Sequence, residues 1–162
     1  MVRTRTAGKG ARVDQVEVLD ETARFPRTER LREVVALYLQ GAGLGDREVT
    51  IVLLDDASVA EHNLRDRGVD GPTDVLSYPT YEPDGAWFPG VAHLGDVLIS
   101  LDTAEQQAAQ HGHSTEDEVM VLAAHAITHL TGLDHHDDEE WKPFLIAQAR
   151  ILEIACEAQS PS

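Results

Sequence analysis

The chain of 162 residues contains only one cysteine, Cys156, so no disulfide can form within it and no metal site can be built from several thiolates. It also lacks any run of 18 apolar residues, which excludes a simple membrane-spanning helix. The basic segment 1–15 is not followed by an apolar stretch, which argues against a secretory signal. These absences predict a cytoplasmic protein. Cys156 itself is predicted to pack in the apolar stripe of the last helix.

Positive charge is scarce and unevenly distributed along the chain. There are 13 Lys and Arg residues against 29 Asp and Glu, which gives a net charge of −16. Residues 1–67 carry a net −1 and residues 68–162 a net −15, with no Lys or Arg between Arg67 and Lys142. Such an acidic surface repels nucleic acid, because affinity for phosphate normally comes from Lys and Arg. One interpretation is that the excess of negative charge serves solubility alone. If the protein instead acts on RNA, binding would depend on a bound dication or on the basic N-terminal third.

Hydrophobic periodicity predicts short strands in the first two thirds of the chain and long helices after them. Strands are predicted at 15–19, 49–54, 74–78 and 93–100, and helices at 28–39, 57–66, 101–111, 115–130 and 137–155. This order predicts an α+β fold, in which a small mixed four-stranded sheet packs with about five helices. Residues 1–14 are predicted to be a disordered basic tail, 80–91 a surface loop and 15–157 a single domain. Pro143 is expected to interrupt the last helix near its first turns.

The segment HAITHLTGLDHHD, which begins at His125, carries the clearest chemistry in the chain. His125 and His129 stand four residues apart in a helical pattern, so both imidazoles lie on one face and can reach one ion. Gly132 can end the helix in a left-handed conformation and turn the chain back, which brings His135 to the same ion. Three imidazoles with one open position are typical of a catalytic zinc site. The metal site is therefore predicted on a long helix and the turn that follows it, with His136 as the alternative third ligand.

One expected catalytic group is missing from this motif. In the H-E-x-x-H motif of metalloproteases, the glutamate deprotonates the metal-bound water. Here Ala126 stands at that position, which disfavours peptide hydrolysis.

Three segments resemble the YbeY family of bacterial endoribonucleases, which act in ribosomal RNA maturation. The string HAITHLTGLDH from His125 is similar to the family signature H-G-x-L-H-L-x-G-y-D-H. Upstream, Asn63 with Arg67-Gly68 and then TDVLSYP from Thr73 resemble L-N-x-x-x-R-G and T-D-V-L-S-F-P. LGDVLIS from Leu94 resembles the L-G-D-I-x-I-S strand. The segments keep the family's order and spacing over about residues 50–140, although Ala126, Thr128, Tyr78 and Phe144 depart from the usual residues.

The resemblance implies a zinc-dependent, single-strand-specific endoribonuclease acting in small-subunit ribosomal RNA maturation and ribosome quality control. It implies one zinc ion per chain held by His125, His129 and His135, and it favours His135 over His136. Arg67 matches the family arginine that acts at the substrate phosphate, and a guanidinium suits that role because it offers a charged, bidentate fork. The implied partners are ribosomal RNA and also ribosomal proteins or a ribosome-associated GTPase, with no membrane.

Other residues near these motifs are candidates for supporting roles. Asp134 is expected either to accept the free N–H of a ligating histidine or to cap the turn. Thr73 and Ser77 are candidates for substrate or backbone contacts. His111 and His113, on either side of Gly112, are expected to lie in an exposed loop, with a second metal site as the alternative.

A second class of function fits the same sequence. The protein would then be a ribosome-assembly binding factor whose zinc is mainly structural, and the acidic charge supports this alternative because it favours protein partners over naked RNA.

Overall fold

The computed structural model describes residues 13–80 and 93–159. Apart from Thr80, the predicted loop 80–91 lies outside these ranges, as do residues 1–12 of the predicted tail. Val13–Gln15 form a short 3-10 helix. The strands are β1 (Val16–Asp20), β2 (Glu48–Leu54), β3 (Val75–Pro79) and β4 (His93–Ser100). The helices are α1 (Thr28–Gly41), α2 (Asp56–Arg67), α3 (Leu101–His111), α4 (Thr115–Leu130) and α5 (Asp138–Gln159).

The strands form one mixed sheet in the order β1-β2-β4-β3. β1 pairs with β2, and β2 with β4, in parallel, whereas β3 pairs with β4 in the antiparallel direction. The predicted α+β fold, with a small mixed four-stranded sheet and five helices, is confirmed. β3 lies at the edge of the sheet and contacts α4, which places the end of this edge strand beside the histidine helix.

The two faces of the sheet are covered unequally, and the alternation along β2 reflects this. Val49, Ile51 and Leu53 face the large hydrophobic core, which also takes residues from α1, α3, α4 and α5. Val52 and Leu54 face the opposite side, where Val59 of α2 completes a much smaller cluster. Side chains alternate between faces along a strand, so both sides of this apolar strand can be buried. The apolar face of α4 belongs to the large core, which leaves its histidines at the margin of the helix.

Local capping explains where the helices begin. The Ser100 side chain accepts a hydrogen bond from the Thr103 amide at the start of α3, and Ser114 accepts one from the Asp117 amide at the start of α4. Such caps satisfy N–H groups that have no partner within the helix. Arg27 precedes α1 without a side-chain cap.

Two local predictions are wrong. Pro143 does not interrupt α5, which continues through it to Gln159; proline is the sixth residue of the helix, so the single backbone hydrogen bond that it removes lies in the first two turns. Cys156 is exposed rather than packed in the core. The buried stripe runs through Ile151 and Ala155, and Cys156 is rotated about 100° from Ala155 around the helix.

Among residues 13–80 and 93–159, no helix combines the length and the apolar character needed to cross a lipid bilayer.

Candidate metal centre

α4 presents its first two candidate ligands from a well-buried helix. Ala126, Ile127 and Leu130 are almost fully buried, while His125 and His129 are only partly buried at one margin of the helix. The helix ends at Leu130, and Gly132 follows with a φ of 99° and donates its N–H to the His129 carbonyl. This left-handed glycine reverses the chain, as the sequence predicted.

The reversal brings His135 back to the two helical histidines. The ring centroids of His125, His129 and His135 lie 4.9, 5.2 and 5.0 Å apart, which makes a nearly equilateral triangle. Their ligand nitrogens all lie within 4.8 Å of one another. The three predicted residues are therefore gathered in one cluster that could bind a metal ion. His136, the alternative third ligand, lies outside this cluster, is exposed, and has its Nε2 3.4 Å from an Asp134 oxygen.

Two aromatic residues of α5 pack against the triad. Phe144 is fully buried, and its ring centroid lies 4.8, 4.7 and 4.7 Å from those of His125, His129 and His135. Trp141 stacks on His135 with a centroid separation of 3.8 Å and an interplanar angle of 24°. Phe144, one of the residues that depart from the resembling family's pattern, thus forms an apolar floor, and Trp141 packs on the ring that lies on the turn.

The Nδ1 atoms of the two helical histidines lie within hydrogen-bond distance of a backbone carbonyl and a side-chain amide. His129 Nδ1 lies 3.0 Å from the Leu133 carbonyl oxygen, so this nitrogen donates and leaves Nε2 for a ligand. His125 Nδ1 lies 3.3 Å from the Gln148 side-chain amide. Sequence reasoning missed Gln148 and Trp141. Their spacing with Phe144, at positions 141, 144 and 148 of one helix, was the signal that could have revealed a common face toward the site.

The surroundings of the two helical histidines favour neutral imidazoles, which are the form that binds a metal. Burial lowers the pKa of His125 to about 4, and repulsion from His129 and His135 adds to this effect. Burial also lowers the pKa of His129. Three imidazole nitrogens gathered on a partly buried frame could bind a divalent transition metal.

A cleft of about 310 Å³ opens beside the triad. The residues that line it come from α2, β3, α4 and the turn that follows α4: Arg67, Asp74, Val75, Ser77, Pro79, His125, His129 and Asp134. The edge strand β3 and the histidine helix therefore form the two walls of one concave site. Arg67 is its cationic side chain, and Asp74 and Asp134 are its carboxylates.

Arg67 reaches the cleft because α2 ends there. Gly68 adopts a left-handed conformation with a φ of 70° and caps the helix. The Arg67 guanidinium donates from Nη2 to the Ser77 carbonyl oxygen at 2.8 Å and lies 5.6 Å above the Tyr78 ring centroid. The neighbouring Asp66 is engaged by Arg65 and by the Tyr78 hydroxyl, which hold the pKa of its carboxyl well below the usual range. The guanidinium is thus held at the cleft wall with its positive charge exposed.

The supporting candidates take different places around the site. Asp134 accepts the His135 amide at 2.8 Å, so it caps the turn, and its distance of 4.0 Å from His129 Nδ1 is too long for a hydrogen bond. The free N–H of His129 goes to the Leu133 carbonyl instead. Ser77 lines the cleft and offers its carbonyl to Arg67. The Thr73 hydroxyl donates to Asp74 at 3.3 Å, beside the residues that line the cleft rather than among them.

Comparison with known proteins shows which family this chain is similar to. The family described as Endoribonuclease YbeY matches residues 15–155. A protein of that name from Thermus thermophilus is 46% identical over 141 residues, covering 86% of this chain and 99% of the relative. One from Aquifex aeolicus is 44% identical over 130 residues, covering 80% and 84%. The solution structure of TM1509 from Thermotoga maritima is similar with a TM-score of 0.64 and 27% identity, covering 88% of this chain and 90% of that one.

Proposed function

The chain belongs to the YbeY family of endoribonucleases, and from this premise we propose that it is a zinc-dependent endoribonuclease that cleaves single-stranded ribosomal RNA. Its setting would be maturation of the small-subunit RNA and ribosome quality control. The catalytic domain would span residues 15–157, with one zinc ion per chain.

One observation carries the proposal: His125 and His129, the two helical members of the triad with His135, line the same cleft as Arg67. A metal held by three protein ligands keeps a position for water or substrate, whereas structural zinc usually has four protein ligands. Because Arg67 lies on the opposite wall, a phosphodiester in the cleft would meet the metal site on one side and a guanidinium on the other.

The chemistry divides between the metal and the chain. When bound, a zinc ion lowers the pKa of a coordinated water and polarises a phosphate oxygen. Arg67 would hold the phosphate by its planar fork and neutralise charge that develops in the transition state. Position 126 is a fully buried alanine, so no carboxylate lies between the two helical histidines as a general base. The Leu133 carbonyl keeps the His129 ring oriented toward the site.

The charge of the protein supports a single-stranded substrate over a duplex. Recognition of double-stranded RNA uses phosphate and 2′-hydroxyl contacts spread over about 16 base pairs, which calls for an extended basic surface. This chain has a net charge of −16, and its residues 68–162 contain only two basic side chains. A flexible strand that places one phosphate between Arg67 and the triad avoids that requirement, because only a local contact has to overcome the repulsion.

The metal assignment follows from the donor set. The triad offers three imidazole nitrogens and neither a thiolate nor a carboxylate. Imidazole suits zinc, and also copper, nickel and iron, while magnesium and calcium prefer oxygen ligands. Zinc is the proposed ion because its tetrahedral preference matches three ligands and one open position.

The second candidate is a ribosome-assembly binding factor with a mainly structural zinc. The observation that favours it is the acidic surface, which would attract basic ribosomal proteins and repel RNA. Ribosomal proteins or a ribosome-associated GTPase would be its partners. The two candidates differ in whether RNA is cleaved.

The decisive experiment measures cleavage of a single-stranded fragment of small-subunit ribosomal RNA and of the matching duplex. Protein purified free of contaminating nuclease would be compared with His129→Ala, and with His93→Ala as a control that removes one imidazole elsewhere. We expect the wild type and His93→Ala to cleave the single strand preferentially, and His129→Ala or protein treated with a chelator to lose at least about 100-fold in rate. The assembly factor would be supported instead if the wild-type protein never cleaves RNA and His129→Ala still binds ribosomes.

A further inference from the structure

A second pair of histidines meets a buried carboxylate where α3 joins α4. α3 ends at His111, Gly112 adopts a left-handed conformation with a φ of 74°, and His113 comes directly before the N-cap residue Ser114. The turn brings the two imidazoles together, with ring centroids 5.7 Å apart and planes at 84°. Both rings contact Glu118 in the first turn of α4.

Glu118 is the buried member of this cluster. Its side chain is 1% exposed, and its Oε1 lies 2.8 Å from His111 Nδ1 and 2.6 Å from His113 Nε2. A carboxylate removed from water has to be compensated by hydrogen-bond donors or by a cation. Here both compensating groups are imidazoles, which are the most common metal ligands in proteins.

The three ligand atoms already converge as a metal site requires. They all lie within 4.8 Å of one another, and both nitrogens face the same carboxylate oxygen. Zinc binds imidazole nitrogen and carboxylate oxygen at about 2.0–2.1 Å, so ligand atoms around a tetrahedral ion lie roughly 3.3 Å apart. To reach that spacing from Oε1, His111 Nδ1 would move by about 0.5 Å and His113 Nε2 by about 0.7 Å. We propose that His111, His113 and Glu118 bind a second divalent transition-metal ion of the zinc class, which joins α3 to α4.

Access and ligand chemistry fit such an ion. The side chains of His111 and His113 are 54% and 24% exposed, so an ion can enter from solvent without opening the core. Glu118 provides a fixed anchor beneath them. Two imidazoles and one carboxylate suit zinc, nickel or copper, and they disfavour calcium and magnesium, which take mostly oxygen ligands.

This site is separate from the His125 triad. Glu118 and His125 are seven residues apart on α4, which is about 10 Å of helix rise, too far for one ion to bridge. Occupancy of one site therefore does not require the other, and each can be removed by its own substitution.

The test is the stoichiometry of zinc binding, measured by calorimetry on the full chain stripped of metal with a chelator. We expect two equivalents for the wild type, with one lost in His113→Ala, one lost in His129→Ala, and both lost in the double variant. Cobalt titration gives an independent readout, because each site adds its own visible absorption when occupied. His93→Ala, which removes a surface imidazole paired with Asp96, should keep both equivalents.

Several outcomes separate this proposal from the proposed function. If His113→Ala binds as many ions as the wild type, the second site does not exist. If the wild type binds one ion, and His113→Ala rather than His129→Ala abolishes it, the second site stands and the triad fails. His111→Ala provides a variant at the more exposed ligand, in case His113→Ala alters the helix junction, and circular dichroism checks that each variant is folded. Unchanged stoichiometry in folded His111→Ala and His113→Ala would overturn the proposal.

Discussion

Trp141 stacks on His135 with ring centroids 3.8 Å apart and an interplanar angle of 24°. His125 and His129 are held by the buried helix α4, but His135 lies on the turn after it, where the backbone gives less support. The indole of α5 therefore supplies the rigidity that the turn lacks. It links the third candidate ligand to the helix that also provides the apolar floor, Phe144.

Replacing Trp141 with alanine should weaken metal binding without removing a ligand. Orienting partners of metal ligands commonly affect affinity by 10- to 100-fold, and we expect about a 10-fold rise in the zinc dissociation constant. Competition against a chromophoric chelator would measure it. Trp141→Phe should keep most of the affinity because it retains an aromatic face. Equal affinities for the alanine variant and the wild type would mean that the turn positions His135 unaided.

The apolar floor makes a different prediction. Phe144 is fully buried and touches all three imidazoles, so Phe144→Ala should leave a cavity and destabilise the metal-free protein by about 3–5 kcal/mol. Phe144→Met, which keeps a long apolar side chain and removes less volume, should cost less than the alanine change. Urea unfolding in the presence of a chelator would give both values. A small effect of the alanine change would show that the site collapses around the missing ring.

Because β3, β4 and α4 approach one another closely, we expect that one glycine between them cannot be replaced without loss of stability. Gly95 has a φ of 155°, and a Cβ there would collide with the Tyr78 carbonyl oxygen and lie 2.8 Å from Leu130 Cδ2. Backbone strain and overpacking together should destabilise Gly95→Ala by about 3 kcal/mol or more. Gly43→Ala is the matched control, since its φ of 79° is strained but nothing lies within 4 Å; it should cost about 1–2 kcal/mol. Thermal unfolding of the two variants distinguishes the cost of the collision from the cost of backbone strain. Similar losses of stability in the two variants would contradict a collision at Gly95.

The triad also predicts how the metal-free protein responds to acid. The pKa of His125 is lowered to about 4 in the folded chain, against an ordinary value of 6.5, so the unfolded chain binds more protons between these values. Stability should therefore be unaffected by this group above pH 6.5 and should fall as the pH drops from 6.5 toward 4. The lowered pKa of His129 acts in the same direction.

NMR titration of the imidazole protons in the metal-free protein tests this directly, and urea unfolding at several pH values tests the consequence. His125→Ala should reduce the pH dependence of stability between 6.5 and 4. An imidazole of His125 that titrates near 6.5 would contradict the effect of burial on its pKa.

Much of this architecture could be predicted from sequence because its signals are local. The bounds predicted for α3, α4 and β4 match the structure, since serine caps and a left-handed glycine mark the helix ends. The triad was predictable for the same reason: a four-residue spacing on one helix and a glycine turn determine where three rings meet.

Contacts between elements distant in sequence were not predictable in this way. The order β1-β2-β4-β3 depends on crossover connections, and no local pattern specifies which strands become neighbours. Glu118 was also missed as the partner of His111 and His113, because the helix junction, rather than a single helical face, brings them together. The sequence left these histidines as an exposed loop or a second metal site.

The last prediction concerns Arg67, whose guanidinium bonds to the Ser77 carbonyl on the cleft wall opposite the triad. Arg67→Ala should lower the rate of RNA cleavage by about 100-fold or more, the effect typical of losing one group that stabilises transition-state charge. Arg67→Lys should recover little, because an ammonium keeps the charge but loses the bidentate fork. Zinc affinity should be unchanged in both, since the guanidinium is not a ligand. Cleavage rates at saturating RNA, measured beside zinc stoichiometry, separate an effect on the reaction from an effect on the metal site. A loss of zinc in either variant would show that Arg67 supports the fold of the site, and full activity in Arg67→Ala would show that the reaction does not need it.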